Sequence, residues 1–306
     1  MPGSIDYDAV AGDLGTAEFL SGEWLMLKSD NGSLPNHPAL HYAGSIAGRG
    51  SNVIKVRFAG LNGYDPMAPA GDGSIVPATQ LAVDHALITV TRQSLVRVRT
   101  DMVEMISPDI AGIPRLALDA MASYATRMTD ILCGIVPTFV ATAGQSGIDL
   151  ATSDVLASIG AAKGLGANGP WMGILHTQQW ADFIVDAGLN TGGVLQFLQA
   201  TAEMIQLRTS AFQGTFLGAD WFVSSRVPLA NGGANRAGGL FANGAIGWGD
   251  GDYGAPRDPN NQIVIGGKIR VDLGREGDAA QDRISQNAML GASKMLEYGV
   301  TLASDA

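Results

Sequence analysis

Chemistry in this chain would have to start from four histidines, one cysteine, a few glycine-rich turns and an acidic loop. His37 and His41 stand at the spacing of two metal ligands on one helical turn. Pro38 falls between them, and no nearby pattern supplies a third ligand, so no metal site is read there. His85 and His176 stand alone. Gly164-Leu165-Gly166-Ala167-Asn168-Gly169 spells the dinucleotide pattern. That pattern works only between a strand and a helix N-terminus, where free amides meet a pyrophosphate. Here a helical stretch precedes it and a strand-like stretch from Trp171 follows. Gly144-Gln145-Ser146-Gly147 lacks the symmetric glycine spacing of a nucleophile elbow. Ser29-Asp30-Asn31 would need a Ser-x-x-Lys partner, and no serine stands three residues before any lysine. Asp250 and Asp252 sit in a glycine-rich turn and read as solvated. The surrounding 249–261 stretch is rich enough in oxygen ligands for Ca²⁺ but lacks the EF-hand register. Cys133 lies inside a helical stretch beside Leu132 and reads as an inert core thiol. No catalytic, cofactor or metal set emerges, and the reading is of a protein that is not an enzyme.

The composition points the same way. The chain has 306 residues, of which 46% are hydrophobic and only 16% charged, with 41 glycines. Charge this sparse suits a molecule that hides much of its surface against neighbours. The net charge of −10 argues against a dedicated nucleic-acid binder, which carries a basic excess. One cysteine excludes an intrachain disulfide and fits cytosolic production. The first twenty residues carry four acids and no basic residue, unlike a signal peptide. No apolar run is long enough to span a membrane.

The stretch that positions everything else is 114–136. Ala117, Met121, Tyr124, Met128, Ile131 and Ile135 recur at steps of four and three, one face of a helix. Arg115, Asp119, Ser123, Arg127 and Asp130 take the other, with Arg115 and Asp119 as an i,i+4 pair. Pro114 opens the helix and Pro137 closes it. At ~1.5 Å per residue it is a rod of roughly 34 Å. Before it, 51–58 and 84–101 alternate cleanly as strands. Ile54, Val56 and Phe58 oppose Lys55 and Arg57. Ile88, Val90, Val96 and Val98 oppose Arg97 and Arg99. The connection between them is dense in Gly and Pro, so the pair reads as a long projecting hairpin with an extended tip. Such a hairpin is marginal in water and needs something to lie on. Residues 1–44 form an acidic arm with six acids against Lys28, and Phe19 and Trp24 belong to its one apolar cluster. Residues 138–237 mix helices and strands without repeating βαβ units. Thr177 caps a helix that Gly188 should stop, and 194–207 is helical. Residues 239–273 return to strand, and periodicity leaves 282–302 undecided between helix and strand.

This order of parts resembles the major capsid proteins of tailed bacteriophages. The matching stretches are 51–60 with 87–101, the 114–136 helix, 214–229, 238–251 and 265–302. The ending Glu297-Tyr298-Gly299-Val300 resembles the closing strand of such coats. The resemblance implies an α+β fold: an N-terminal arm (1–44), an extended hairpin loop (45–101), a peripheral domain (102–137 and 238–306) with spine helix 114–136, and a mixed α/β axial domain (138–237). It implies a self-assembling subunit, in hexamers and pentamers, of an icosahedral head around packaged DNA. That DNA is held without sequence specificity. Separate scaffolding, portal or decoration proteins are implied partners. The location is the virion, after synthesis in the host cytoplasm. Members that crosslink use a lysine in the loop; 59–83 contains none, so crosslinking is not carried over. Lys55, Arg57, Arg92, Arg97, Arg99, Phe19 and Trp24 are the expected intersubunit contacts. An encapsulin-type compartment shell shares the fold and is the alternative. A cytosolic α/β enzyme is the reading from another class.

Overall fold

The computed structural model describes residues 37–59, 83–100, 113–190, 212–230, 235–254, 256, 262–276 and 281–305. One helix, α1 (Ile113–Ile135), joins the two halves of the molecule. Pro114 occupies its first turn, where a missing N–H costs nothing. Its far end passes into a single 3-10 turn, Val136–Thr138, around Pro137. The Thr138 hydroxyl donates to the orphan carbonyl of Ile135 at 2.6 Å. The helix thus ends one residue before the expected position.

Its buried stripe is slightly rotated from the expected one. Met121 and Met128 are buried as the spacing predicts, but Ala120, Leu132 and Cys133 are buried with them. Tyr124, Ile131 and Ile135 pack at the margin of that core. The reason is that α1 lies against two surfaces. Ala120 and Met121 pack on Ile265, Ile269, Val271 and Ile284. Met128, Leu132, Cys133 and Val136 pack with Met172, Ile174, Phe222, Phe241 and Trp248. A helix serving two sheets buries more than a single stripe.

The first surface is a six-stranded sheet of order β1-β11-β14-β13-β12, with β4 also on β14. Its members are β1 (Leu40–Ser45), β4 (Thr91–Thr100), β11 (Ile246–Asp250), β12 (Gln262–Ile265), β13 (Ile269–Glu276) and β14 (Gln281–Lys294). Within the 239–273 stretch read as strand, Ile265, Ile269 and Val271 are almost fully buried. The closing stretch, undecided from periodicity, is two strands, β14 and β15 (Gly299–Asp305).

The second surface is a seven-stranded sheet of order β5-β15-β10-β6-β8-β7, with β9 on β10. Its members are β5 (Ala141–Ala143), β6 (Trp171–Leu175), β7 (Phe212–Phe216), β8 (Ala219–Val223), β9 (Leu229–Ala230), β10 (Asn235–Ala242) and β15. Two helices cover it, α2 (Thr152–Gly164) and α3 (Thr177–Asn190), packing Val155, Phe183 and Trp180 against Trp221 and Leu240. Gly173 lets the Trp221 ring lie directly on the β6 backbone; a Cβ there would sit 2.3 Å from the ring. β10 and β15 were expected beside the α1 sheet, yet they pair with β6 and β5. The last strand therefore ties the chain end to the mixed unit. α3 runs through Gly188, which does not stop it. Its N-terminus is capped by His176, whose Nδ1 accepts the Gln178 N–H at 3.3 Å, not by Thr177. The expected helix at 194–207 lies outside the described residues.

The third sheet is the two-stranded hairpin of β2 (Val53–Ala59) and β3 (Val83–Thr89). It is shorter than expected. The strand read as 84–101 breaks at Val90, whose N–H donates to Asn52 O at 2.8 Å as the last rung of the hairpin. The chain then turns into β4, which pairs with β14 along its whole length.

Candidate assembly surface

The hairpin root is seated on glycine. Ile54, Ile88 and Val90 form a small core with Ala43, Ile46, Val56 and Met289. Beneath them lie Gly247 and Gly249 of β11. A Cβ on Gly249 would be 2.5 Å from Ile54 Cδ1, and one on Gly247 would be 2.9 Å from Ile88 Cδ1. A Cβ on Gly291 would be 2.1 Å from the Thr89 carbonyl oxygen, where the hairpin crosses β14. Glycine is what lets two backbones and two isoleucines come this close.

The opposite face of the hairpin points away from this seat. Lys55 stands directly across from Leu87, and Arg57 across from His85. All four are exposed, Leu87 at 52%. The alternation read from sequence therefore holds for β2: Ile54 buried, Lys55 and Arg57 outward. One face of the hairpin is covered by its own chain and the other is not.

For β4 the expected division of labour is reversed. Arg97 faces α1, where its guanidinium donates to Asp119 at 2.7 Å. Gln286 donates to the same carboxylate at 2.8 Å. Arg127 of α1 reaches back to Gln93 at 2.8 Å. On the other face Arg92 donates twice to Asn287 Oδ1, at 2.9 and 2.6 Å. Val96 and Val98 were expected to share a buried face with Ile88 and Val90; they are 45% and 52% exposed. The break at Val90 is the cause, because it separates the two halves of the run into different sheets. So Arg92 and Arg97 are engaged with their own chain, and Val96 and Val98 are open. The Arg99 side chain, Phe19 and Trp24 lie outside the described residues, as does the Arg115 side of the expected Arg115–Asp119 pair.

The arm's last residues are structural. β1 pairs in parallel with β11. Tyr42 donates to Asp250 Oδ1 at 2.9 Å, and Lys268 meets the same oxygen at 3.0 Å. Asp250 was expected to be solvated and is 2% exposed. Its neighbours in sequence are glycines, but its neighbours in space are Tyr42 and Lys268. Asp252 remains exposed. Burial first, and then the Asp250 carboxylate, push the Tyr42 hydroxyl up to about 12. His37 is buried; its Nδ1 accepts the Ala39 N–H, so its Nε2 faces Asp220 at 2.9 Å as the donor. His41 is exposed on the following strand, so the two histidines serve different ends.

The remaining chemical candidates resolve into structure. Cys133 is buried in the α1 core, and burial pushes its thiol up to about 12, which leaves little thiolate at neutral pH. The glycine pattern at 164–169 begins at the C-terminus of α2 and leads into β6, with no helix N-terminus to hold a phosphate. Asp149, Asp182 and Asp305 bring carboxylate oxygens within 4.8 Å of one another. Burial and the two neighbouring charges hold the Asp182 carboxyl above its ordinary value. Among the described residues no helix is long and apolar enough to cross a membrane.

The arrangement is one of surfaces: a helix bridging two sheets, and a hairpin rooted at one side. Sequence reasoning missed Asp119 and Gln286 as the partners that hold β4 against α1, because the partners lie far apart along the chain.

This architecture is the fold found in phage capsid structures. No protein-family model and no curated protein matches the chain by sequence. Among solved structures, it is similar to a chain of the head structure of Helicobacter pylori bacteriophage KHP40. That match has 10% identity and a TM-score of 0.57, covering 87% of each chain. The capsid of Ralstonia phage GP4 matches with 9% identity and a TM-score of 0.55, over 87% of this chain and 86% of that one. The capsid asymmetric unit of cyanophage Pam1 matches with 9% identity and a TM-score of 0.54, over 88% and 91%. At such identities the likeness is one of fold.

Proposed function

We propose that this chain is the major capsid protein of a bacteriophage, a structural subunit whose copies close into an icosahedral head around the genome. One observation carries the reading. The hairpin is seated by one face, its outward face presents Lys55, Arg57, His85 and Leu87, and Val96 and Val98 of β4 are exposed as well. Together with a fold shared over most of the chain with phage head structures, this gives a subunit built to be completed by other copies. In this reading 1–44 is the arm and 45–101 carries the extended loop. Residues 102–137 and 238–306 form the periphery, and 138–237 forms the axial unit. Hexamers and pentamers, packaged DNA, and separate scaffolding, portal or decoration proteins are its partners, and the virion is its location. With a net charge of −10 the subunit meets DNA without a general basic surface.

Purified protein viewed by negative-stain microscopy should show closed particles. A variant in which a short turn replaces 60–82 should stay soluble and fail to close shells, because the hairpin root remains seated while its reach is lost. Normal shells from that variant would overturn the proposal.

A further inference from the structure

The two helices on the seven-stranded sheet are poor in charge where water should meet them. α2 buries Val155, Ser158 and Ala162, which make one face. Its other face is exposed, yet 155–162 contains no charged residue. Leu156 of α2, Val185 of α3 and Ile148 on the approach to α2 each keep more than half of their surface in water. Leu165, just past α2, is also exposed. A helix that is apolar all round is normally a covered one. Large apolar side chains gathered on one exposed layer mark a contact surface.

The two ends of α2 carry opposite charge. At its entry stand Asp149, Asp182 and Asp305, which crowd one another and meet no cation among the described residues. Asp149 is the exposed member, so it is the one a partner reaches. At the other end Lys163 lies in the last turn of α2, exposed and without an ion pair among the described residues. At ~1.5 Å per residue the 13 residues of α2 hold the two ends roughly 20 Å apart, beyond the reach of one lysine. An acidic end, an apolar middle and a cationic end together complement a second copy of the same surface. We infer that copies of this chain meet through the α2–α3 layer, with Lys163 of one copy on the Asp149 corner of the next and Leu156 and Val185 shut between them. The choice of a second copy as partner rests on the shell reading above. Unlike ends that match repeat the contact from copy to copy, as a ring requires. The apolar middle supplies the area, and the charges set the register.

The test mixes two full-length chains, one with Ala161→Cys and one with Ser153→Cys, both at exposed positions of α2. A short bismaleimide is added, and the wild-type chain controls for Cys133. The expected product is a link from 161 of one copy to 153 of another, seen as joined peptides in the mass spectrum, with a yield that rises with protein concentration. Adding Lys163→Asp to the first chain should lower that yield about tenfold, because it sets like charges against each other. Adding Asp149→Lys to the second chain as well should restore it. A yield that ignores Lys163→Asp, or that Asp149→Lys fails to restore, would overturn the inference. So would links of 161 to 161 or 153 to 153 in place of the expected one. Closed particles that form without any 161–153 link would overturn it and leave the shell reading standing. A chain that stays monomeric at every concentration would overturn both.

Discussion

At the scale of single residues, the molecule keeps its charges in two very different states. Asp250 is buried and answered by Tyr42 and Lys268. Asp182 is crowded by Asp149 and Asp305 and answered by neither. Burial and those like charges raise its carboxyl above the ordinary 3.8. A raised carboxyl is most stabilising when protonated. Its contribution is fully present below the ordinary value and is lost as pH rises through the folded-state value. The wild-type chain should therefore gain thermal stability relative to Asp182→Asn as pH falls from neutral into that window. At neutral pH the Asn variant should melt higher. Thermal melts of both proteins across the pH range check this, and parallel curves would refute it. Neither state was legible locally. Asp250 looked solvated because its sequence neighbours are glycines, but Gly249 is there for Ile54 of the hairpin and Gly251 for Met289 of β14. Asp182, on a helix face, gave no signal, since its two companions come from positions far along the chain. The Cys133 reading needed only a helical period and was readable from sequence.

At the scale of elements, the sequence carried period and face well but not partnership. The α1 rod and the β6 strand follow from local spacing and form within a residue of their expected positions, whereas the run to 273 divides into β12 and β13 and continues to Glu276. The 84–101 run is the instructive difference. Its alternation is unbroken across Val90, so periodicity alone reads one strand. The break comes from a rung to Asn52 and from Gly291, which lets the chain pass over β14. Both are long-range facts. They decide which face of β4 meets α1, and so they put Arg97 inward and Val98 outward. Gly291→Ala tests this directly. Its Cβ would lie 2.1 Å from a backbone oxygen, which no rotamer change can relieve. Forcing the strands apart should cost about 1–3 kcal/mol. The measured consequence is a lower melting temperature together with faster amide exchange at Ile88 and Thr89. An unaltered exchange rate there would mean that the crossing is not held by this contact.

At the scale of the whole molecule, two forces compete over association, and salt separates them. Each copy carries a net charge of −10, so copies repel over a Debye length of ~30 Å at 0.01 M salt and ~8 Å at 0.15 M. The hairpin's outward face is locally cationic through Lys55 and Arg57, so pairs with acidic neighbours pull the other way. Exposed pairs are worth ~0–1 kcal/mol each. Leu87, Val96 and Val98 offer apolar area, at ~25 cal/mol per Å² removed from water, which salt does not weaken. The sparse charge of the chain and its abundance of glycine and apolar residues favour the second contribution. The order of parts that suggested a shell was readable because it rests on element lengths and texture. Which surfaces do the gripping was not, because that depends on the break at Val90. If the open valines and Leu87 carry association, particle formation at fixed subunit concentration should increase as salt is raised from ~0.01 to ~0.15 M. Light scattering measures it. Val98→Asp should abolish the increase while leaving the subunit's melting temperature within about one degree, since Val98 is half exposed in the free chain. Particles that instead dissolve as salt rises over this range would show that Lys55 and Arg57 dominate, and that the valine face is not where copies meet.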